Sequence, residues 1–186
     1  AFMNQTAAPV RERLVHVVQG QFQISDDPGV VLTTVLGSCV AACVRDPLLG
    51  IGGMNHFLLP GDASKPVDSM KYGLYSMELL INGMLQRGAA RNRLEAKLFG
   101  GARVVEGLSD IGRQNAAFAE RFLREEGIAC TGSSLGGERP RRIRFWPVSG
   151  RVAQLILDST STEVFRNERT RAATPPPATG GDLELF

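Results

Sequence analysis

Three apolar segments separated by short turns constrain the fold of this chain more than any other feature. They cover residues 30–36, 40–45 and 51–59. The first turn is Gly37-Ser38-Cys39, and the second, at 46–50, is Asp-Pro-Leu-Leu-Gly. Apolar runs of this length between turn formers are typical of strands. Strands in such quick succession predict antiparallel neighbours in one sheet.

Two amphipathic helices complete the pattern. Apolar residues recur at helical spacing across 72–87 and 111–126, and a glycine stands where each helix would end. Further strands are predicted at 16–22, 94–99, 128–133, 141–147 and 151–157. This order of strands and helices favours an α+β fold, a layered sandwich of mixed β-sheets flanked by two main helices.

The length of 186 residues fits one folded domain with a tail at each end. We predict a flexible N-terminal arm at 1–14, a folded domain at 15–158 and a disordered tail at 159–186. The tail is rich in Thr, Ala, Pro and Gly, a composition that does not build a core. No apolar run reaches the ~18–20 residues that span a bilayer, and no secretory signal is visible. We therefore expect a cytoplasmic protein without direct membrane insertion.

The charge pattern argues against nucleic-acid binding. The net charge is +2, and 22% of the residues are charged. The densest basic stretch, residues 139–144, holds four arginines but is short and lacks interleaved aromatic residues. We expect no nucleic acid among the partners of this protein.

Cys39 and His56 are the candidate reactive side chains. Cys39 ends the Gly37-Ser38-Cys39 turn, and His56 lies in an apolar segment just after a double glycine. A thiol with an imidazole nearby is the minimum equipment of a cysteine nucleophile. The small residues Gly37 and Ser38 would let the turn present the sulfur and aim backbone N–H groups at a substrate oxygen, as an oxyanion hole does. Taken singly, however, each of the two residues is more often part of a core.

A thiol–imidazole pair usually needs a third group that orients the ring. No acidic residue lies within the two neighbouring strands, but Thr33 and Thr34 precede Cys39 by six and five positions. Their side chains point to opposite faces of a strand, so only one can reach the site. The residues alone leave that choice open.

The remaining candidates have simpler interpretations. A zinc site built from Cys39, Cys43 and His56 would lack a fourth ligand, so we predict no metal and no cofactor. Cys43 and Cys130 lie in apolar segments and are predicted to fill the core. His16 is predicted to be a surface residue of a strand. Three cysteines, an odd number, argue against a disulfide framework.

The sequence resembles the CheD family, the chemoreceptor glutamine deamidases of bacterial chemotaxis. The similarity covers about residues 15–157. It is carried by Ser-Asp-Asp-Pro-Gly at 25–29, Thr-Thr-Val-Leu-Gly-Ser-Cys at 33–39, Gly-Gly-Met-Asn-His-Phe-Leu-Leu-Pro at 52–60, and the segment 94–101. The resemblance implies that Cys39 is the nucleophile, that His56 is the general base and acid, and that Thr33 orients His56.

The same resemblance implies a substrate and partners. The substrate would be a glutamine side chain on the methylation helices of methyl-accepting chemotaxis receptors, converted to glutamate, with some methyl-ester cleavage by the same machinery. CheC, a phosphatase of the same system, binds and inhibits some CheD proteins. Two other functions stay open, a receptor-binding adaptor with little or no catalysis and a thiol hydrolase of unrelated substrates. The terminal segment 182–186 is either a docking peptide or a tail without function.

Overall fold

A computed structural model describes residues 8–60, 66–104, 109–158 and 183–186. Within them the chain forms ten strands, two α-helices and one 3₁₀ turn at Arg91–Arg93. The first five strands are β1 (Arg13–His16), β2 (Phe22–Ser25), β3 (Val30–Leu36), β4 (Val40–Asp46) and β5 (Ile51–Asn55). The others are β6 (Glu95–Gly100), β7 (Ala129–Leu135), β8 (Arg141–Phe145), β9 (Val152–Ile156) and β10 (Leu183–Leu185). The helices are α1 (Pro66–Gln86) and α2 (Ser109–Glu125).

The strands form two mixed five-stranded sheets. Sheet I has the order β1-β3-β8-β9-β10, and sheet II has the order β2-β5-β4-β6-β7. The pairs β1–β3 and β6–β7 are parallel, and the other pairs are antiparallel. Helix α1 packs on β2 and β5, and α2 packs on β4, β6 and β7. The predicted α+β layered sandwich is confirmed, with both helices on the same face of sheet II.

The central strands β4 and β5 of sheet II are buried on both faces, and their alternating side chains contribute to two separate cores. Residues 40, 42 and 44 of β4 face the helices, whereas residues 41 and 43 face sheet I. The core between the two sheets contains Leu32, Leu36, Ala41, Cys43, Met54, Phe99, Ile143 and Phe145. The half-buried Cys39 packs at the edge of this inter-sheet core.

The chain changes sheets at the Gly37-Ser38-Cys39 turn. Strand β3 belongs to sheet I and β4 to sheet II, so the prediction that they are neighbours in one sheet is wrong. The antiparallel pairing of β4 with β5 is confirmed, with Cys43 opposite Met54. The turn therefore stands at a corner of the sandwich, where both sheets contribute residues.

The ends of the chain differ from expectation. The strand predicted at 16–22 is wrong, because residues 17–21 form the loop between β1 and β2. Strand β1 begins inside the predicted flexible arm at 1–14, and residues 1–7 of that arm lie outside the described part. Strand β10 lies in the tail predicted to be disordered. It pairs antiparallel with β9, and residues 159–182 are outside the described residues.

Candidate active site

The backbone of His56 is held by the loop that joins β1 to β2. The N–H of Gly20 donates to the His56 carbonyl at 2.7 Å, and the His56 N–H donates to the Gln21 carbonyl at 3.1 Å. His56 is two residues beyond Met54, so it shares the face of sheet II that looks toward sheet I. The imidazole is therefore directed into the space between the sheets, where it is buried.

Thr34, not Thr33, contacts the imidazole. Thr34 Oγ1 lies 2.8 Å from His56 Nδ1, whereas the Thr33 hydroxyl donates to the carbonyl of Ile143 at 2.8 Å. Thr34 lies on the same face of β3 as the inward-facing Leu32 and Leu36, because alternate residues of a strand share a face. Thr33 points to the opposite face of sheet I. The choice of Thr33 as the residue beside His56 is therefore wrong. The sequence predicts that the two threonines point to opposite faces of the strand, but the packing of the sheets decides which face is inward.

The hydrogen bonds around Thr34 define which ring nitrogen of His56 carries the proton. The Thr34 hydroxyl donates its hydrogen to the Val17 carbonyl at 2.9 Å, so its oxygen is left to accept from His56 Nδ1. The Val17 carbonyl is a second acceptor, 3.3 Å from Nδ1. Nδ1 is thus the protonated nitrogen of the neutral ring, and Nε2 carries the lone pair.

His56 Nε2 is a buried nitrogen without a hydrogen-bond partner among the described residues. Burial lowers the pKa of His56 to about 4, and the hydrogen bond to Val17 opposes this shift only in part. The ring is therefore neutral near pH 7, and the lone pair of Nε2 is available to accept a proton.

Cys39 and His56 lie on the same face of sheet II. Val40 and Phe57 form an antiparallel bridge, with N–H···O distances of 3.0 and 2.9 Å. Continuing that register by one residue places Cys39 opposite Leu58, so that His56 is the diagonal neighbour of Cys39. The expectation that their two side chains meet across this strand pair stays a prediction. The Cys39 thiol itself donates to Gln19 Oε1, at an Sγ–Oε1 distance of 3.7 Å.

Each of the three carbonyl groups of the turn accepts a hydrogen bond. The Gly37 carbonyl accepts from Ala102 N–H and the Cys39 carbonyl from Gly101 N–H, both at 2.8 Å. The Ser38 carbonyl accepts from Asn115 Nδ2, also at 2.8 Å. Because a trans peptide is planar, fixing a carbonyl also fixes the direction of the following N–H. The N–H groups of Ser38 and Cys39 are therefore held in place by the rest of the fold.

Asn115 is a site residue that the sequence did not reveal. It is fully buried on α2, and its Oδ1 accepts from the Leu59 N–H at 2.9 Å while its Nδ2 holds the Ser38 carbonyl. One side chain thus ties the turn before Cys39 to the segment after His56. The helical spacing of Asn115 from the buried Phe118 and Phe122 indicates that it is buried, but it does not indicate the contact with the turn.

Gly100 allows the close approach of the chain to the Cys39 turn. Its φ is +111°, and a Cβ at this position would collide with the Cys39 carbonyl oxygen. Larger residues therefore cannot take this position without moving the turn. The next residue, Gly101, supplies the N–H that holds the Cys39 carbonyl.

The other candidate residues lie outside this arrangement. Cys43 is buried, and its burial raises the pKa of the thiol far above its ordinary value. Cys130 is exposed, so its predicted core role is wrong, while the surface position of His16 is confirmed. None of the three cysteines, all of which are described, forms a disulfide. The described residues contain no cluster of three or more His, Cys, Asp or Glu that could hold a metal.

The arginines of the stretch 139–144 differ in burial and in their partners. Arg141 is buried and donates to the Ser134 carbonyl at 2.6 Å, whereas Arg144 is exposed. Arg139 pairs with Asp158 at 2.9 Å. These arginines therefore do not form one continuous basic surface.

In the described part of the chain, no helix is both long and apolar enough to cross a membrane.

The fold and the site define an α+β protein with a thiol and a neutral imidazole between two sheets. A family model described as CheD chemotactic sensory transduction matches residues 58–155. A protein of Caulobacter sp. (strain K31), named "Probable chemoreceptor glutamine deamidase CheD", is 59% identical over 176 residues, covering 92% of each chain. A protein of the same name from Sinorhizobium medicae (strain WSM419) is 53% identical, covering 99% of this chain and 100% of that one. This chain belongs to the CheD family.

A solved structure, the Bacillus licheniformis hypothetical protein YfiH, is 13% identical with a TM-score of 0.43, covering 68% of this chain and 60% of that one. The family-model match begins just after His56, whereas the similarity to the two relatives extends over nearly the whole chain.

Proposed function

We propose that this protein deamidates glutamine side chains of chemoreceptors, with Cys39 as nucleophile and His56 as general base and acid. The names of the relatives support the substrate class. The observation that carries the chemical assignment is the set of contacts at His56. Nδ1 is held by Thr34 at 2.8 Å, and Nε2 is buried without a partner on the face that Cys39 shares.

The first half-reaction forms a thioester. His56 Nε2 takes the proton of the Cys39 thiol as the sulfur attacks the carboxamide carbon, and the carbonyl π pair moves onto oxygen. We assign the fixed N–H groups of Ser38 and Cys39 as the donors to that oxyanion. When the tetrahedral intermediate collapses, His56 returns the proton to the amide nitrogen, which leaves as ammonia.

The second half-reaction releases the acid. Water gives a proton to His56 Nε2 and attacks the thioester carbon, and the Cys39 sulfur leaves and recovers the proton. The product is a receptor glutamate. A methyl ester of glutamate could enter the same sequence with methanol as the leaving group, so we also propose a minor methylesterase activity. A thiol needs no metal or cofactor for either step.

Thr34 is the proposed third member of the site in place of Thr33. Its oxygen accepts from Nδ1–H, which holds the ring in the tautomer with a basic Nε2. Because this partner is uncharged, it does not raise the pKa of the ring as a carboxylate would. We therefore propose a general base that stays neutral at rest and takes the thiol proton only during attack.

Mass spectrometry of a purified receptor fragment tests the proposal. Wild-type protein should convert glutamine to glutamate, a gain of about 1 Da, and release ammonia without chain cleavage. Cys39→Ala and His56→Ala should abolish this gain, while Cys130→Ser, which removes an exposed thiol away from the site, should retain it. If wild type binds the fragment but produces no gain, the adaptor function is correct instead. Chain cleavage would indicate a protease.

Partners and location follow from the same assignment. Receptor helices that carry methylation sites are the proposed substrates, and we propose that the protein acts on them in the cytoplasm. CheC is proposed as a regulatory partner on the resemblance alone. Titrating CheC into the deamidation assay would test this, and an unchanged rate at saturating CheC would exclude inhibition.

A further inference from the structure

Gln19 brings a polar side chain to the sulfur of Cys39. It lies at the tip of the β1–β2 loop, where Gln21 N–H donates to the Val18 carbonyl at 2.9 Å and closes a turn. Gly20 and Gln21, the two residues that follow Gln19, bond to the backbone of His56. The Gln19 side chain is thus carried by the same loop that holds the imidazole, and its Oε1 lies 3.7 Å from Cys39 Sγ.

We propose that Gln19 is a further catalytic residue of this site, which contacts the reacting sulfur and stabilises the negative charge that develops there. The proposal rests on the deamidase function proposed above. A side-chain amide carries both an acceptor and two donors, so it can serve both states of the sulfur. Oε1 accepts the S–H hydrogen at rest. Rotation of the amide by half a turn presents Nε2–H to the thiolate.

The electron and proton balance of the reaction is unchanged by this contact. The thiol proton still moves to His56 Nε2, the sulfur pair forms the bond to the carboxamide carbon, and no bond to Gln19 forms or breaks. Gln19 contributes a hydrogen bond to the charge on sulfur during attack and again when sulfur leaves the thioester. A donor preorganised toward developing charge contributes more than a solvent molecule can.

A purely structural role fits Gln19 poorly. Gln19 is exposed, and the hydrogen bond described for its side chain is the one that it accepts from the Cys39 thiol. Variants at this position should therefore fold normally. Gln23 offers a matched control, because it is also an exposed glutamine and lies four residues away on β2.

The pH dependence of Cys39 alkylation tests the contact without using a receptor. Iodoacetamide modification is followed at Cys39 by peptide mass spectrometry, which separates it from the exposed Cys130. Gln19→Glu places a carboxylate beside the sulfur and should move the midpoint of alkylation upward by about one pH unit. Gln23→Glu should leave it unchanged. Equal midpoints in Gln19→Glu and wild type would overturn the proposal.

Kinetics on the receptor fragment supply the second test. Gln19→Ala should lower kcat by about 10-fold or more with a smaller effect on KM, because the contact concerns the reacting sulfur. A kcat within twofold of wild type would overturn a catalytic role. The two proposals fail separately. If wild type does not deamidate the receptor but Gln19→Glu shifts the alkylation midpoint, the deamidase function is wrong and the Gln19–Cys39 contact stands.

Discussion

Thr34 Oγ1 and His56 Nδ1, 2.8 Å apart, join the two sheets of the sandwich across their shared core. Thr34 belongs to β3 of sheet I, and His56 follows β5 of sheet II. The orientation of the imidazole therefore depends on the packing of one sheet against the other. The Thr34 hydroxyl donates its hydrogen bond to the Val17 carbonyl, so its oxygen accepts from His56 Nδ1. The contact therefore also selects the tautomer of His56 that is protonated at Nδ1.

Replacing each threonine by valine separates the catalytic contact from a structural one. Both hydroxyls donate to buried backbone carbonyls, so both Thr33→Val and Thr34→Val should lower the free energy of unfolding by about 1–3 kcal/mol. Only Thr34→Val should also lower kcat, by about 10-fold or more, because His56 loses its orienting partner. Urea unfolding and the deamidation rate measure the two effects. Equal rates in the two variants would contradict the assignment of Thr34.

The low pKa of His56 predicts that the deamidation activity is retained at unusually acidic pH. The base must be neutral, and its pKa of about 4 lies well below the ordinary 6.5. The kcat/KM of deamidation should therefore stay nearly constant as the pH is lowered from 7 to 5, and fall only near pH 4. A fall in kcat/KM centred near pH 6.5 would show that His56 is not desolvated in the free protein.

The same pKa shift links folding stability to pH. Between about pH 6.5 and 4, His56 binds a proton in the unfolded chain but not in the folded protein. The free energy of unfolding should therefore decrease as the pH is lowered through this window, and the contribution vanishes above it. Urea midpoints of wild type and His56→Leu measure the effect. If His56 is its source, the variant should lose most of the slope in this window.

Asn115 should be needed for both stability and rate. Asn115→Leu leaves the Ser38 carbonyl and the Leu59 N–H without their partner, which costs about 1–3 kcal/mol for each buried group. Asn115→Asp keeps the acceptor for Leu59 but not the donor to Ser38, so its kcat should fall while the segment after His56 stays in place. Gln114→Leu, at an exposed neighbouring position, is the control. Chemical denaturation and kcat report the two roles, and a wild-type kcat in Asn115→Asp would exclude the contribution of Ser38.

The C-terminal residue should stabilise the fold. Phe186 exchanges two backbone hydrogen bonds with Val152, at 2.8 and 3.1 Å, and its ring meets that of Phe99 edge-on at 5.4 Å. Phe186→Ala should lower the free energy of unfolding by about 1–3 kcal/mol. Leu183→Ala, at an exposed position of β10, should change it little. Thermal unfolding distinguishes the two variants, and equal midpoints would show that the strand does not stay docked in solution.

Much of this protein follows from local sequence. The apolar runs predict β3, β4 and β5, and the helical periodicity predicts α1 and α2, because both patterns depend only on neighbours in the chain. The Gly-Ser-Cys and Gly-Gly-Met-Asn-His motifs identify Cys39 and His56, and together they indicate the CheD family, which the comparisons confirm.

Only the tertiary structure decides which residues complete the site. Period-two alternation places Thr33 and Thr34 on opposite faces, but which face looks inward depends on where sheet II packs. Gln19 and Asn115 reach the Cys39 turn from a distant loop and a helix, through contacts that no local pattern encodes. The short strand β10 cannot be predicted from its own residues, because it forms by pairing with the edge of β9. Sequence thus determined the proposed reactive pair and the strands that carry it, because local patterns encode both, whereas the packing of the two sheets selected the residues that contact them.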